Sequence, residues 1–183
     1  MGFPHPTYDV PGHDEGLARL AASAAVDPLG HAVLLAQGLR GGDVPAGHVC
    51  ATAWVLDGSG GRTLLVRHGA LGWVEPGGHV ERGEDPAQAA ARELREETSV
   101  ESLPLLASPA VVHAGVFPAR NGQPAHQHWN LGYLFVVDES VALRAEEGAP
   151  VAWFDIASIP SPAVADLTVV LPELQQLVRR LQP

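Results

Sequence analysis

Hydrophobic and polar positions alternate with two different periods along this chain, and each period predicts a type of element. Runs rich in Val, Leu and aromatic residues predict five strands, over 48–57, 62–67, 111–117, 131–137 and 151–154. The glycine-rich segment 58–61 joins the first two runs and is typical of a hairpin turn. A loop over 72–76 and a Gly77-Gly78 turn are expected after the hairpin.

Helical spacing appears in two further segments. The first follows an N-terminal helix signal, with Asp85 as N-cap, Pro86 in the first helical position and Gln88 three residues after the cap. Its small and apolar positions form one stripe, made of Ala87, Ala90, Ala91 and Leu94. The second helix is predicted over 167–181. Strands, helix, strands and helix in this order predict an α/β domain with a mixed sheet covered by helices.

Three carboxylates share the other side of the first helix. Glu93, Glu96 and Glu97 are spaced i, i+3 and i+4, which places them within one arc of roughly 100°. Like charges at this spacing repel, so a positive partner is expected. Oxygen ligands at close range suit a hard divalent cation such as Mg²⁺ or Mn²⁺. The alternative interpretation is a solvated acidic helix face.

The first 45 residues differ from the rest of the chain. Short helices are expected over 14–25 and 31–37, followed by a glycine-rich linker over 38–47. The domain prediction is therefore an N-terminal helical extension over 1–45 and a main domain over 46–183.

Composition narrows the classes of partner. The formal net charge is −10, every basic side chain other than histidine is arginine, and the pI is about 5.2. This balance argues against nucleic acid as a partner, because phosphate-backbone binding requires a basic surface. No apolar run approaches the ~20 residues of a membrane helix, and no secretory signal is visible. Cys50 is the only cysteine and is expected to be a buried structural thiol, so a cytoplasmic location is predicted.

The segment from Gly78 to Val100 resembles the signature of the Nudix hydrolases. That signature is Gly, five residues, Glu, seven residues, Arg-Glu, an aliphatic, any residue, Glu-Glu, any residue, Gly and an aliphatic. The matching positions in this chain are Gly78, Glu84, Arg92, Glu93, Leu94, Glu96, Glu97 and Val100. Ser99 replaces the usual glycine just past the helix, where a left-handed C-cap is common, so local strain is expected there.

The resemblance implies an α/β/α sandwich and a function. Members of this family hydrolyse a nucleoside diphosphate linked to another group, such as a nucleotide sugar, ADP-ribose, a dinucleotide or a (d)NTP. Glu93, Glu96 and Glu97 would hold Mg²⁺, with Mn²⁺ as the alternative, and the Gly78 carbonyl would add a ligand. Either Glu93 or Glu96 would orient or deprotonate the attacking water. A small nucleotide-type diphosphate is thus the expected partner, and dimers are common among similar proteins.

Arg92 has two interpretations in this scheme. It either clamps a phosphate or orients a glutamate of the cluster, and guanidinium fork geometry favours the second. Glu84 is expected to have a supporting role.

Further residues are candidates for substrate binding. His126 and His128 alternate with Gln127 just before the predicted strand 131–137, so they would point to one side of an extended segment. Such a pair can also bind a transition metal, although the sequence offers no third partner. His79 lies in the motif loop and is a candidate for phosphate contact, while Arg67 and Trp73 precede the motif. Trp73 and Trp129 are candidates for stacking on a base.

Two other functions are alternatives to hydrolysis. A catalytically weak Nudix-like module would bind nucleotide or regulate a partner, but such modules typically lose motif carboxylates and this chain keeps them. An isoprenoid-diphosphate isomerase would require a reactive cysteine facing a glutamate, and nothing in the sequence around Cys50 supports one.

Overall fold

The computed structural model describes residues 48–69, 71–81, 84–117, 126–145, 149–163 and 166–181. The predicted extension over 1–45 lies outside the described residues. Within these ranges, neither helix combines the length and the apolar character needed to cross a membrane.

A seven-stranded sheet forms the middle layer of the described chain. Its strands are β1 (His48–Asp57), β2 (Arg62–His68), β3 (Gly72–Val74), β4 (Gly77–His79), β5 (Val111–Phe117), β6 (His126–Val137) and β7 (Val151–Asp155). The helices are α1 (Pro86–Thr98) and α2 (Asp166–Leu181), with a short 3₁₀ turn over Ile156–Ser158. The five predicted strands and the two helices predicted for the main domain are therefore confirmed, while the short helices expected over 14–25 and 31–37 lie outside the described residues.

Two predicted loops are strands instead. The segment expected to be a loop and a glycine turn forms β3 and β4, which pair with β2 and β1. The segment from His126 to Asn130, expected to precede a strand, belongs to β6, because β5 and β1 pair with it. In both cases, pairing with other strands of the sheet outweighs the weak local propensity of glycine, histidine and asparagine.

The sheet is mixed, as predicted. Its main order is β3-β2-β1-β6-β5, with β4 added to β1 and β7 added to β2. β1 and β6 run parallel over their whole paired length, from His48↔His128 to Asp57↔Val137. The other pairs are antiparallel.

The two helices cover opposite faces of this sheet. β1 is buried throughout its centre, and its alternate residues enter two different cores. Ala51, Ala53 and Val55 pack with α1, whereas Trp54 and Leu56 pack with α2. The result is a three-layer α/β/α sandwich in which α1 lies against the β1 and β4 end of the sheet.

Candidate active site

Helix α1 begins at a complete capping box. The Asp85 carboxylate accepts a hydrogen bond from the Ala87 N–H at 2.9 Å, and Gln88 Oε1 accepts one from the Asp85 N–H at 3.4 Å. The cap and the buried Ala89, Ala90 and Leu94 fix the rotation of the helix about its axis. Glu93 and Glu97 are thereby turned towards β4.

Helix α1 ends at Thr98, and Ser99 lies just past it as the C-cap, the place that the sequence predicts for it. Ser99 adopts the left-handed conformation, with φ 62° and ψ 16°, and its N–H donates to the Arg95 carbonyl at 2.8 Å. A residue with a Cβ is strained in this region, so the substitution for glycine affects the helix terminus.

Arg92 is the centre of the polar network. Its Nε and Nη2 donate to the two oxygens of Glu84 at 2.8 and 3.0 Å. Its Nη1 donates to Glu93 Oε1 at 2.8 Å and to Glu96 Oε2 at 3.2 Å. Nη2 also donates to the His79 carbonyl at 3.0 Å. A guanidinium has five N–H groups, and these five contacts use all of them.

Glu93 lies directly against the glycine of β4. A Cβ built on Gly78 would come within 2.7 Å of the Glu93 carboxyl carbon and closer still to Oε1. A side chain at position 78 would therefore displace the Glu93 carboxylate from its place beside the β4 backbone. The Glu93 side chain is 15% exposed, so the carboxylate is largely buried as well as enclosed.

Glu97 and Glu96 complete the acidic group but differ in their surroundings. The Gly77 N–H donates to Glu97 Oε2 at 3.0 Å, which ties Glu97 to β4. Glu96 is 51% exposed, and its contacts among the described residues are the longer one with Arg92 and a 3.7 Å ion pair with Arg95. Two carboxylates are thus held at the β4 backbone and the third extends towards solvent.

Burial, hydrogen bonds and neighbouring charges shift the pKa values of Glu93 and Glu84 in opposite directions. Burial raises the pKa of Glu93, and the negative Glu96 and Glu84 add to this, while Arg92 opposes it. For Glu84, burial also favours the neutral form, but the hydrogen bonds from Arg92 and the Glu81 N–H outweigh it, so its pKa lies below the usual value. A cation placed among Glu93, Glu96 and Glu97 would relieve the repulsion that Glu93 experiences.

The donor set of this pocket fits a hard divalent ion. Glu93, Glu96 and Glu97 supply only oxygen, and the glycine at position 78 allows the Glu93 carboxylate to lie directly beside the β4 backbone. Oxygen ligands are those that Mg²⁺ and Mn²⁺ prefer.

Two of the candidate histidines meet beside β1. His79 and His128 have ring centroids 5.6 Å apart in an edge-to-face arrangement. Cys50 Sγ lies 3.4 Å from His128 Nδ1, and the thiol is buried, as predicted. Sequence reasoning missed this grouping, since Cys50 and His128 are separated by 78 positions and no local motif joins them.

Of the other substrate-binding candidates, Arg67 and Trp73 lie in another part of the sheet. Arg67 and Trp73 face each other across β2 and β3, with the guanidinium carbon 5.9 Å from the indole centroid. Trp73 also packs edge-on against Phe154 in the core of the α2 layer, so these contacts place the pair opposite α1. The side chains of His126 and Trp129 lie outside the described part of the chain, and their roles stay predictions.

Known proteins resemble this chain in sequence. Residues 46–174 match the family model described as the NUDIX domain. The RNA pyrophosphohydrolase of Brucella ovis is 38% identical over 94 residues, which cover 45% of this chain and 51% of that protein. The putative mutator protein MutT4 of Mycobacterium tuberculosis is 33% identical over 119 residues, which cover 63% of this chain and 46% of that protein.

The fold also resembles solved structures. The NUDIX-family hydrolase from Clostridium perfringens superposes with a TM-score of 0.58 at 19% identity, over 72% of this chain and 97% of that one. This likeness supports the α/β/α fold. The chain spans about half the length of the curated relatives it matches. Because the family model covers most of the chain and the sequence motif lies within it, the chain belongs to the Nudix hydrolase family.

Proposed function

We propose that this protein is a divalent-metal-dependent pyrophosphohydrolase that cleaves the diphosphate linkage of a nucleoside diphosphate joined to another group. One observation carries the proposal: α1 presents three carboxylates, two of which are held against the Gly77-Gly78 backbone. A solvated acidic helix face would need neither the glycine beside Glu93 nor the five-fold pairing of Arg92. The name of the Brucella relative, RNA pyrophosphohydrolase, supports the same class of reaction.

Glu93, Glu96 and Glu97, together with the Gly78 carbonyl, would hold Mg²⁺, and Mn²⁺ suits the same oxygen ligands. When bound, the ion supplies positive charge that offsets the negative oxygens of the diphosphate and makes water more acidic. Phosphoryl transfer needs little covalent chemistry from the protein, so the remaining task of this chain is positioning.

Arg92 acts as a positioning residue in this proposal. All five of its N–H groups are engaged by protein acceptors, which favours the orienting role over a phosphate clamp. Glu84 holds the guanidinium side-on, and the guanidinium in turn fixes the Glu93 carboxylate. Glu84 therefore supports the site without facing the substrate.

Glu96 is the carboxylate we assign to the attacking water. Glu93 is engaged by Arg92 and Glu97 by the Gly77 N–H. Glu96 has the most exposed carboxylate of the Arg92 network, so it can accept a hydrogen bond from a water and take its proton at a free oxygen lone pair. His79 and His128, which lie beside the other face of β4, are retained as candidates for substrate contact.

The substrate class is a nucleotide sugar, ADP-ribose, a dinucleotide or a (d)NTP. The net charge of −10 favours these small molecules over a polynucleotide. The Brucella relative is named for RNA, so a 5′-triphosphorylated RNA belongs in the same substrate screen.

The test is hydrolysis of this panel with Mg²⁺, with Mn²⁺ and with a chelator, in ¹⁸O-labelled water so that the attacked phosphorus is identified. We expect turnover of at least one small substrate that requires the metal. Glu96→Gln and Glu97→Gln should lower kcat by several orders of magnitude while circular dichroism stays unchanged. Glu173→Gln, an exposed carboxylate of α2, is the matched control and should keep wild-type kcat.

Three outcomes would contradict the proposal. No turnover on any substrate would remove the enzymatic assignment, and tight nucleotide binding without turnover would favour a regulatory module. Near-wild-type kcat in Glu97→Gln would overturn the ligand assignment.

A further inference from the structure

Three strands bring a thiol and two imidazoles together at one end of the sheet. Cys50 on β1 is directly opposite His79 on the antiparallel β4. His128 on the parallel β6 is paired with His48, two positions before Cys50. The ligand atoms of Cys50, His79 and His128 all lie within 4.8 Å of one another.

These side chains stand on the face of the sheet that lies away from α1. The pairing of β1 with β4 and β6 is regular here, so side chains alternate strictly between the two faces. Ala51 faces the α1 core, and a Cβ on its partner Gly78 would meet Glu93. Cys50 and His79, each one position away, therefore point to the opposite face.

We propose that Cys50, His79 and His128 form a binding site for Zn²⁺ that is separate from the carboxylate site of α1. A thiolate with two imidazoles is a ligand set that zinc prefers, whereas Mg²⁺ prefers oxygen. The zinc proposal does not rest on the proposed hydrolysis, and its three ligands are different from the proposed Mg²⁺ ligands. Zinc bound there would occupy His79 and His128, the two histidines retained as candidates for substrate contact.

The distances are close to those of a tetrahedral site. Zn–S near 2.3 Å and Zn–N near 2.05 Å place sulfur and nitrogen about 3.6 Å apart and two nitrogens about 3.3 Å apart. Cys50 Sγ and His128 Nδ1 are already at 3.4 Å. The remaining separations are at most 4.8 Å, so they need to close by no more than roughly 1.2–1.5 Å, which rotation of the half-buried His79 ring can supply.

Binding releases one proton. The thiol of Cys50 exchanges its proton for the metal, giving a zinc thiolate, and each neutral imidazole donates a nitrogen lone pair. Three protein ligands leave a fourth position for water or another small donor. The sulfur is buried, while the two imidazoles are half-buried and border the solvent, so the ion would be held at the edge of the core.

The experiment is titration of the metal-free full chain with Co²⁺, and then displacement by Zn²⁺, in excess Mg²⁺ to saturate the carboxylates. We expect one Co²⁺ per chain, tetrahedral visible absorption and a thiolate-to-cobalt charge-transfer band in the near ultraviolet. Zn²⁺ should abolish both signals. Cobalt bound by the glutamates alone would give no thiolate band.

Variants assign the ligands. Cys50→Ser should abolish the charge-transfer band, and His128→Gln and His79→Gln should each weaken zinc binding at least tenfold. Glu97→Gln should retain the cobalt spectrum, which separates this site from that of the proposed hydrolase. His68→Gln, an exposed histidine of β2, is the matched control and should bind like wild type.

The proposal is overturned if wild-type protein shows no charge-transfer band, if the band persists in Cys50→Ser, or if His68→Gln weakens zinc binding as much as His128→Gln. If Cys50→Ser does not fold, an alkylation experiment on the wild-type protein tests the zinc site instead. Zn²⁺ should then protect the thiol from alkylation in mild denaturant, and unchanged alkylation would refute the site.

Discussion

At the residue scale, one guanidinium organises the site. Arg92 joins Glu84, Glu93, Glu96 and the backbone of β4 through five N–H groups. Its hydrogen bonds with Glu84 and Glu93 raise the pKa of Arg92 above its already high usual value, so it stays charged at any working pH. A lysine would keep the charge and lose the planar fork.

Arg92→Lys should therefore lower kcat by about 10- to 100-fold, as expected for a residue that orients a metal ligand. The concentration of Mg²⁺ needed for half-maximal activity should rise, because Glu93 loses its fixed position. The substrate KM at saturating Mg²⁺ should stay nearly constant, which steady-state kinetics with both ligands varied will show. Arg95→Lys, the same change three positions away on the exposed side of α1, is the control and should be near neutral.

A different kinetic pattern would identify a phosphate clamp. In that case, Arg92→Lys would raise the substrate KM and leave the metal requirement unchanged.

At the element scale, the end of α1 contains a correctable strain. Ser99 holds a left-handed backbone conformation that costs an L-residue roughly 1–2 kcal/mol. Ser99→Gly should raise the free energy of unfolding by about 0.5–1 kcal/mol, since glycine also loses more entropy on folding. Urea denaturation with an unchanged m-value will measure the gain.

Ser99→Ala distinguishes the effect of the backbone strain on stability from that of the lost hydroxyl. The contact of the Ser99 hydroxyl with the Arg144 carbonyl is long, at 3.4 Å. Alanine retains the Cβ, so this variant should give no gain in stability. Equal stabilisation by alanine and glycine would show that the strain lies elsewhere.

The β1–β2 turn depends on one buried carboxylate. Asp57 accepts hydrogen bonds from the Ser59 hydroxyl at 2.6 Å and from the N–H groups of Ser59, Gly61 and Arg62 at 3.0, 2.8 and 2.7 Å. Burial alone would raise the pKa of Asp57, but these donors outweigh it and the pKa lies below its usual value. A lowered folded-state pKa means that the ionised form stabilises the protein above the unfolded-state pKa of about 3.9.

Asp57→Asn should therefore lower the free energy of unfolding by about 1–3 kcal/mol at pH 7. The difference from wild type should shrink as the pH falls below about 4 and the aspartate becomes protonated. Chemical denaturation at a series of pH values tests this. Asp155→Asn, whose side chain is mostly exposed, is the control, and a pH-independent difference for Asp57→Asn would contradict the electrostatic account.

The same elements show what the sequence could predict. The strong hydrophobic periodicity predicts the bounds of β1, β5 and the two helices almost to the residue, because the local pattern and the tertiary structure agree there. β3 and β4 were missed because three-residue strands containing glycine have no periodic signal and form only by pairing with β2 and β1.

The sequence predicts the α1 carboxylates as a group because they share one helix. The approach of Cys50 to His79 and His128 depends on strand register, which sequence spacing does not reveal.

At the scale of the whole molecule, the sandwich separates two sets of ligands. The β1–β4 pair carries the oxygen donors of α1 on one face and the sulfur and nitrogen donors on the other. Burial raises the pKa of the Cys50 thiol to about 12, and the negative Glu93 adds to the shift. The acidic site therefore influences the thiol electrostatically although the strands lie between them.

The net charge of −10 should govern how an anionic substrate arrives. Like charges repel over the Debye length, which is about 30 Å at 0.01 M salt and about 8 Å at 0.15 M. With Mg²⁺ held constant, kcat/KM should therefore rise severalfold as KCl increases across this range, while kcat at saturating substrate changes little. The double variant Glu101→Gln/Glu173→Gln removes two exposed charges that are not among the proposed metal ligands, and it should flatten this dependence. If kcat/KM falls with added salt, the field at the site entrance is positive despite the net charge, and arginine side chains near the entrance would then guide the substrate.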